Sequence, residues 1–497
     1  MKTKKNTFIF LLLSLTLVMA LIFSCDDSKL DESIETGEFW AIDLKKNSYY
    51  KVSANLLAKG TYCDVWVEKN CGITVSQAKD VANVYDGSIY HKMIEAFSID
   101  ISYDILTEIF TSAGTADLDN DTIFNTMEFA DWLTDRDGKL CILLLDIRDN
   151  YDPNTYTAYY AGYFSPTDFG TGIRSNMRDM IYIDTYPGML EPQLEDAYKT
   201  LSHEMQHLMN LATSYITRSK IVNSTRTVYT MDLWINEGLS SAAEWLYAEK
   251  HLEDRVVWFN KNGGGNGLID MGNNFFVWDN REDESDYANL DDYSTVYLFF
   301  QWLRLHSGNN GMDTYRRIIT SNNVDYKAVT SAAAANINSG YSSWETLLGD
   351  WLSANYINAP VGPYGYLNET LLKNVKTPPP SSGSIDNTIL LAPGEGVYSV
   401  TNNAPDLSNQ DINIKNLFLN DTANTSHVLN SILLTFNMDS NHKGSSRTGV
   451  TTGIPLPQPQ PQPNAGSVSL PRSLLPSAAR PYRMDPGVHF RQMGNNE

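Results

Sequence analysis

Apolar and polar positions along the chain change period several times. Phe39–Val67 alternates apolar with polar residues, the period of strands with one buried face, and includes a strand at Cys63–Val67. A helical stretch follows at Val75–Ala96. Lys139–Ile147 and Thr157–Phe164 are continuous apolar runs between turn residues, which predicts buried strands; Met177–Asp184 is a third, broken by Pro187–Gly188. The period then turns helical. Leu194–Thr213, Leu233–His251 and Tyr293–His306 carry apolar residues three and four apart, and Gly308 stands where the last should stop. Shorter helices are expected at Asp313–Thr320, Tyr326–Ile337 and Ser343–Tyr356. Strands first and helices after is the order of an α+β domain, a strand-rich half packed on a helical half.

Near Pro360 the character changes again. Pro378–Ser382 (PPPSS) has linker composition, Thr388–Val400 and Ile412–Phe436 look like strands of a small β-rich module, and Pro455–Pro463 (PLPQPQPQP) is extended. The organisation expected is an export signal over 1–24, a tether over 25–37 and a main region over 38–360, mainly strands over 38–190 and mainly helices over 191–360. A linker over 361–385, a β-rich module over 386–440 and a low-complexity or disordered tail over 441–497 complete it.

The N-terminus adds a compartment. Lys2, Lys4 and Lys5 precede a nearly unbroken apolar stretch from Phe8 to Phe23, then Ser24, Cys25 and the acidic pair Asp26–Asp27. A charged-then-apolar start with a small residue before the cut reads as an export signal. The cysteine directly after Ser24 resembles a bacterial lipobox, which implies acylation of Cys25 and a lipid anchor in a bacterial membrane or cell surface. The alternative is a retained N-terminal membrane anchor. Both place the rest of the chain outside the cytoplasm, where a small-loop disulfide between Cys63 and Cys71 would be permitted. Cys141, inside the Leu140–Asp146 run, reads as a packed thiol.

Composition narrows the partners. With 497 residues and 42% of them hydrophobic, two or three domains with a sizeable core are expected. The formal charge of −22 excludes the basic footprint that nucleic acid binding needs. Oligomeric state is not readable.

The chemistry is carried by Leu201–Asn210 (LSHEMQHLMN), which contains His203, Glu204 and His207 in H-e-x-x-h spacing. Residues four apart on a helix share a face, so both imidazoles can reach one ion, and Glu204 points to the flank where a water would sit. Zinc lowers the pKa of such a water, and a carboxylate beside it can act as base and later hand the proton to a departing amine. A catalytic zinc needs a third protein ligand and an open fourth position. Downstream, Asp232–Ser240 reads DLWINEGLS. It is similar to the ligand-bearing helix of the gluzincin peptidases, a resemblance that makes Glu237 the third zinc ligand. The gap from His207 is longer than in the aminopeptidase branch, so Met209–Met231 must form a loop. No G-A-M-E-N-like segment is present, which favours cleavage within chains.

A closer resemblance is to the hyicolysin-like zinc metallopeptidases. It rests on Gly162–Phe169 (GYFSPTDF), Ser175–Pro187 (SNMRDMIYIDTYP), the HEMQH and NEGLSSAAEW helices, and Tyr293–Phe300 (YSTVYLFF), and covers roughly residues 40–360. It implies a secreted, zinc-dependent protease with a polypeptide substrate. It also implies that Met177–Asp184 is an edge strand holding extended peptide, against the plainer reading of an ordinary sheet strand. For the oxyanion it implies a Tyr or His, here Tyr293 with Tyr297 one turn away in reserve. Glu244, seven residues after Glu237, either orients a ligating imidazole or is an exposed helix carboxylate.

A second ion is weighed at Asp117, Asp119, Asp121 and Glu128, which match positions one, three, five and twelve of a calcium loop. Thr122 stands where glycine makes the turn, so a solvated acidic loop competes with calcium. The sequence therefore describes a zinc endopeptidase. Its rival is a surface lipoprotein that uses an inactive peptidase fold for binding or adhesion.

Overall fold

The computed structural model describes residues 34–110, 115–222, 225–260 and 288–375, with the shorter segments 388–391, 393–400, 413–419, 432–439, 448–451 and 488–492. Cys25, Pro378–Ser382 and Pro455–Pro463 lie outside the described residues.

Three strands come first: β1 (Thr36–Asp43), β2 (Ser48–Lys59) and β3 (Cys63–Glu68). Then α1 (Val75–Val84) runs through a π-helical turn, Tyr85–Ile89, into α2 (Tyr90–Phe97). The start of α1 is set by a capping box in which the Thr74 side chain and Gln77 satisfy each other's backbone N–H groups. After the short bridge strand β4 (Ile101–Ser102) come α3 (Tyr103–Ile109), the bridge strand β5 (Ile123–Phe124) and α4 (Thr126–Leu133). The strands β6 (Leu140–Leu145), β7 (Ala158–Phe164) and β8 (Met180–Asp184) follow.

The main helical half comprises α5 (Leu194–Thr217), α6 (Leu233–Ala248), α7 (Glu253–Asn260), α8 (Ala288–Ser307), α9 (Met312–Ile319), α10 (Tyr326–Asn336) and α11 (Trp344–Ile357). Between α5 and α6 the strands β9 (Ser219–Val222) and β10 (Thr225–Val228) pair antiparallel, so the stretch expected as a loop is helix to Thr217 and then a hairpin. Beyond α11 lie β11 (Thr388–Leu391), β12 (Gly396–Val400), β13 (Ile414–Leu419), β14 (Ile432–Asn437), β15 (Thr448–Thr451) and β16 (Val488–Gln492). The described molecule is mixed α/β, strand-rich in its N-terminal half and helical after that.

One seven-stranded sheet runs β1-β2-β3-β6-β8-β7-β16. The β3–β6 and β6–β8 pairs are parallel, with registers Cys63↔Leu140 and Cys141↔Met180, and each is joined by a long crossover. All six residues of β6 are buried, as a central strand covered on both faces requires. Leu140, Ile142 and Leu144 join the large core on the helical face, while Cys141, Leu143 and Leu145 pack on the opposite face with Phe39, Trp66 and Tyr182. Helix α5 lies against β7 and β8. It comes close because Gly162 has no side chain: a Cβ there would sit 2.8 Å from Thr200 Cγ2.

Topology corrects the expectation for Met177–Asp184. β8 lies between β6 and β7 and has no free edge for a peptide. The neighbouring β7 is itself paired on its outer side by β16, antiparallel, with Val488 opposite Tyr163 and Gln492 opposite Ala158. Contacts bear on two further regions. Cys63 and Cys71 are free thiols, Cys63 buried at the start of β3. The late strands β12 and β14 pack on α11, where Tyr398 donates to Leu352 O and the Phe436 ring faces Gly349, so their apolar side chains share the main core. Among the described residues, no helix is long and apolar enough to cross a membrane.

Candidate active site

Two helices build the site. On α5 every residue from Thr200 to Ser214 is buried, and on α6 every residue from Trp234 to Leu246. Helices covered all round sit at the centre of a core, so polar residues on them need partners. Glu195 and Asp196 in the first turn of α5 suit the positive end of its dipole. Against α6 the α8 helix packs closely at Gly238, where any Cβ would overlap the Phe300 ring. That contact explains the glycine beside Glu237.

Across the α5–α6 interface His203, His207 and Glu237 converge. Glu237 Oε2 lies 3.2 Å from His203 Nε2 and 3.7 Å from His207 Nε2. One ligand atom from each of the three lies within 4.8 Å of the others. His207 Nε2 and Glu237 Oε2 are buried and make no hydrogen bond to any described residue.

The opposite ring nitrogens are held. His203 Nδ1 is 3.0 Å from Glu244 Oε1. His207 Nδ1 is 3.0 Å from Ser240 Oγ, which in turn donates to Gln206 Oε1 at 2.6 Å. Both contacts suit N–H on Nδ1, which leaves each Nε2 lone pair aimed at the centre. Glu244 is therefore no exposed helix carboxylate: it is wholly buried and orients His203. Ser240 was not singled out from sequence, although its position three residues after Glu237 puts it on the same helix face.

Charge favours a cation. Glu204, Glu237 and Glu244 crowd two imidazoles, and burial pushes Glu204 well above the usual carboxylate range, with His203 opposing the shift and Glu237 and Glu244 adding to it. Burial works to lower His203, but the neighbouring carboxylates of Glu237 and Glu244 outweigh that and bring it to about 9. Burial brings His207 down to about 4. Two imidazole nitrogens, one carboxylate oxygen and an excess of negative charge are a donor set that fits zinc.

The two tyrosines separate. Tyr293 is buried with Glu237 and Glu204 among the charges it feels, and the Arg255 guanidinium sits 4.9 Å from its ring centre. Burial above all, then Glu237, holds its hydroxyl far above its ordinary value, so it keeps its proton as a donor. Tyr297 is committed elsewhere: its oxygen accepts from Leu252 N at 3.1 Å and lies 2.7 Å from His251 Nδ1. Arg255, buried beside Tyr293, was not foreseen and carries no sequence signal beyond its charge.

The calcium expectation is not met. Asp117 pairs with Arg136, Asp119 Oδ1 accepts from Asp121 N at 3.2 Å and from Thr122 Oγ1 at 3.0 Å, and Glu128 accepts from Asn125 N at 2.8 Å as part of the α4 cap. The four carboxylates do not gather. Instead Asp131, Asp135 and Asp179 bring ligand atoms within 4.8 Å of one another, with Arg178 Nε 3.4 Å from Asp135.

A paired-helix centre of two histidines and a glutamate, with a second glutamate on its flank, is the arrangement of a metallopeptidase site. Comparison with known proteins agrees at that level. The chain is 28% identical over 297 residues to the neutral metalloprotease ShpI of Staphylococcus hyicus, a match covering 59% of this chain and 56% of that protein. The chain thus spans about half the length of the curated relative it matches. No family model matches the chain. The similarity supports a metallopeptidase, and with the His–His–Glu group it implies a metal.

Proposed function

We propose that this chain is a zinc-dependent endopeptidase acting outside the cytoplasm, with His203, His207 and Glu237 holding the metal and Glu204 serving as general base. The observation that carries the reading is the convergence of His203 Nε2, His207 Nε2 and Glu237 Oε2 while both Nδ1 atoms are fixed from behind. A bound zinc would supply Lewis acidity, making water a stronger acid and polarising a peptide carbonyl.

The protein's own groups do the rest. Glu204, buried next to His203 in the chain and within charge range of His203 and Glu237, takes a proton from the attacking water and returns it to the amine nitrogen that leaves. Tyr293, kept protonated by its surroundings, donates its O–H to the carbonyl oxygen as negative charge develops there. Glu244 and Ser240 hold the two imidazoles in one tautomer and one orientation. The intact set of ligands and base argues against the binding-module alternative, which needs none of them. The apolar run ending at Ser24–Cys25 supports acylation at Cys25 and a membrane-anchored enzyme.

Glu204→Gln tests the assignment. Turnover should fall about 10²- to 10⁴-fold with zinc content unchanged. A variant that cleaves as fast as the parent removes Glu204 from the mechanism.

A further inference from the structure

A small cavity opens beside the metal-facing helices, with the His207 ring as part of its wall. Phe164 at the end of β7, Pro166 just after it and Leu211 on α5 form its apolar side. Asn210, Ser214 and Asn236 form the polar side. Its volume is about 20 Å³. A single water needs about 10–15 Å³ by the same kind of measure, so there is room for one or two heavy atoms and no more.

The walls are not free to move apart. Asn210 Nδ2 donates to Asn236 Oδ1, the residue next to Glu237. Ser214 Oγ donates to Asn210 O at 2.7 Å and accepts from Arg218 Nη2 at 2.7 Å. Buried Arg218 also donates to Asn210 Oδ1 at 3.3 Å, to Ile319 O at 2.8 Å, to Ser321 O at 2.6 Å and to Tyr229 O at 3.2 Å. One guanidinium therefore ties the polar wall to two other parts of the chain, the Ile319–Ser321 segment and Tyr229, and widening the cavity would break those bonds. None of its lining residues is an acid, a lysine or an arginine, so nothing in it compensates a charged side chain.

We propose that this cavity receives the side chain of one residue flanking the scissile bond and restricts it to glycine, alanine or serine. The inference rests on the endopeptidase reading above and names the substrate class for it: polypeptides cut next to a small, neutral residue.

The test is a digest of a mixed peptide library by the full-length zinc-loaded protein, with cut sites mapped by mass spectrometry. Paired peptides differing only in alanine or leucine at each flanking position are then measured. One flanking position should be dominated by glycine, alanine and serine, with kcat/KM for alanine exceeding that for leucine by at least about tenfold, since one methylene too many in a tight pocket is worth about 10- to 200-fold. Leu211→Ala, which opens the apolar wall, should bring that ratio down toward one; if the variant does not fold, the parent's ratio decides alone. Cleavage that is zinc-dependent but equally fast with alanine, leucine or phenylalanine at both positions overturns the pocket and leaves the peptidase reading standing. A zinc-loaded protein that cuts no peptide overturns both.

Discussion

Glu244 offers a sharp test of how the site is held. Its carboxylate is fully buried, with Oε1 3.0 Å from His203 Nδ1. Replacing it with alanine removes a hydrogen bond to a group that becomes charged or metal-bound, worth about 1.5–3 kcal/mol in a buried setting. The imidazole then loses both its fixed tautomer and its orientation toward Glu237. Groups that hold a metal-binding histidine from behind commonly account for about 10- to 100-fold in affinity, or about 1.4–2.7 kcal/mol, and the two ranges agree. Zinc affinity of Glu244→Ala should therefore fall by about 10- to 100-fold in a competition titration against a fluorescent chelator. Glu244→Gln, whose amide oxygen can still accept from Nδ1–H, should lose less. Parental zinc affinity in Glu244→Ala, with only thermal stability reduced, would refute the orienting role and leave Glu244 as packing.

Further outcomes follow from the same geometry. Without metal, His203 is raised to about 9 and His207 lowered to about 4, so between those values uptake of zinc must displace at least the His203 proton, with Glu204, held above its ordinary value, able to release another. The zinc Kd should weaken by at least about tenfold for each pH unit lowered from 8 to 6; a flat profile in isothermal titration would contradict it. Tyr293→Phe should cut kcat by about 10²- to 10³-fold with zinc retained, the size expected for one oxyanion donor, whereas Tyr297→Phe should chiefly lower the melting temperature by freeing Leu252 N and His251. Equal activity loss in both would mean that Tyr293 acts through packing. Gly238→Ala should cost about 1–3 kcal/mol of stability in thermal denaturation, because its Cβ meets the Phe300 ring; a neutral effect would show that α6 and α8 can part there.

How far the sequence reached depends on whether a feature is local. The helices carrying His203, Glu204, His207 and Glu237 were legible because helical spacing and the ligand motif lie within a few turns of chain. The burial of Glu244 was not, because a carboxylate on a helix reads as solvent-facing until tertiary packing covers it. Ser240 shares that difficulty, being a small hydroxyl that many buried helices carry without a role. Strand order is non-local, so nothing in Met177–Asp184 revealed that β7 and β6 would flank it. The calcium spacing at Asp117–Glu128, weighed against a plain acidic loop, has a different outcome: acidic side chains in a turn satisfy nearby backbone groups and neighbouring arginines as readily as an ion, and here they do. The hairpin β9–β10 was hidden in a stretch whose length alone had suggested a loop.

The central claim is tested most directly by metal content and casein cleavage measured together on the purified full-length protein, before and after a zinc chelator. One zinc per chain, with cleavage abolished by the chelator and restored by added zinc, is the predicted result. A protein that binds no zinc, or that cleaves casein undiminished once stripped of metal, would contradict the account.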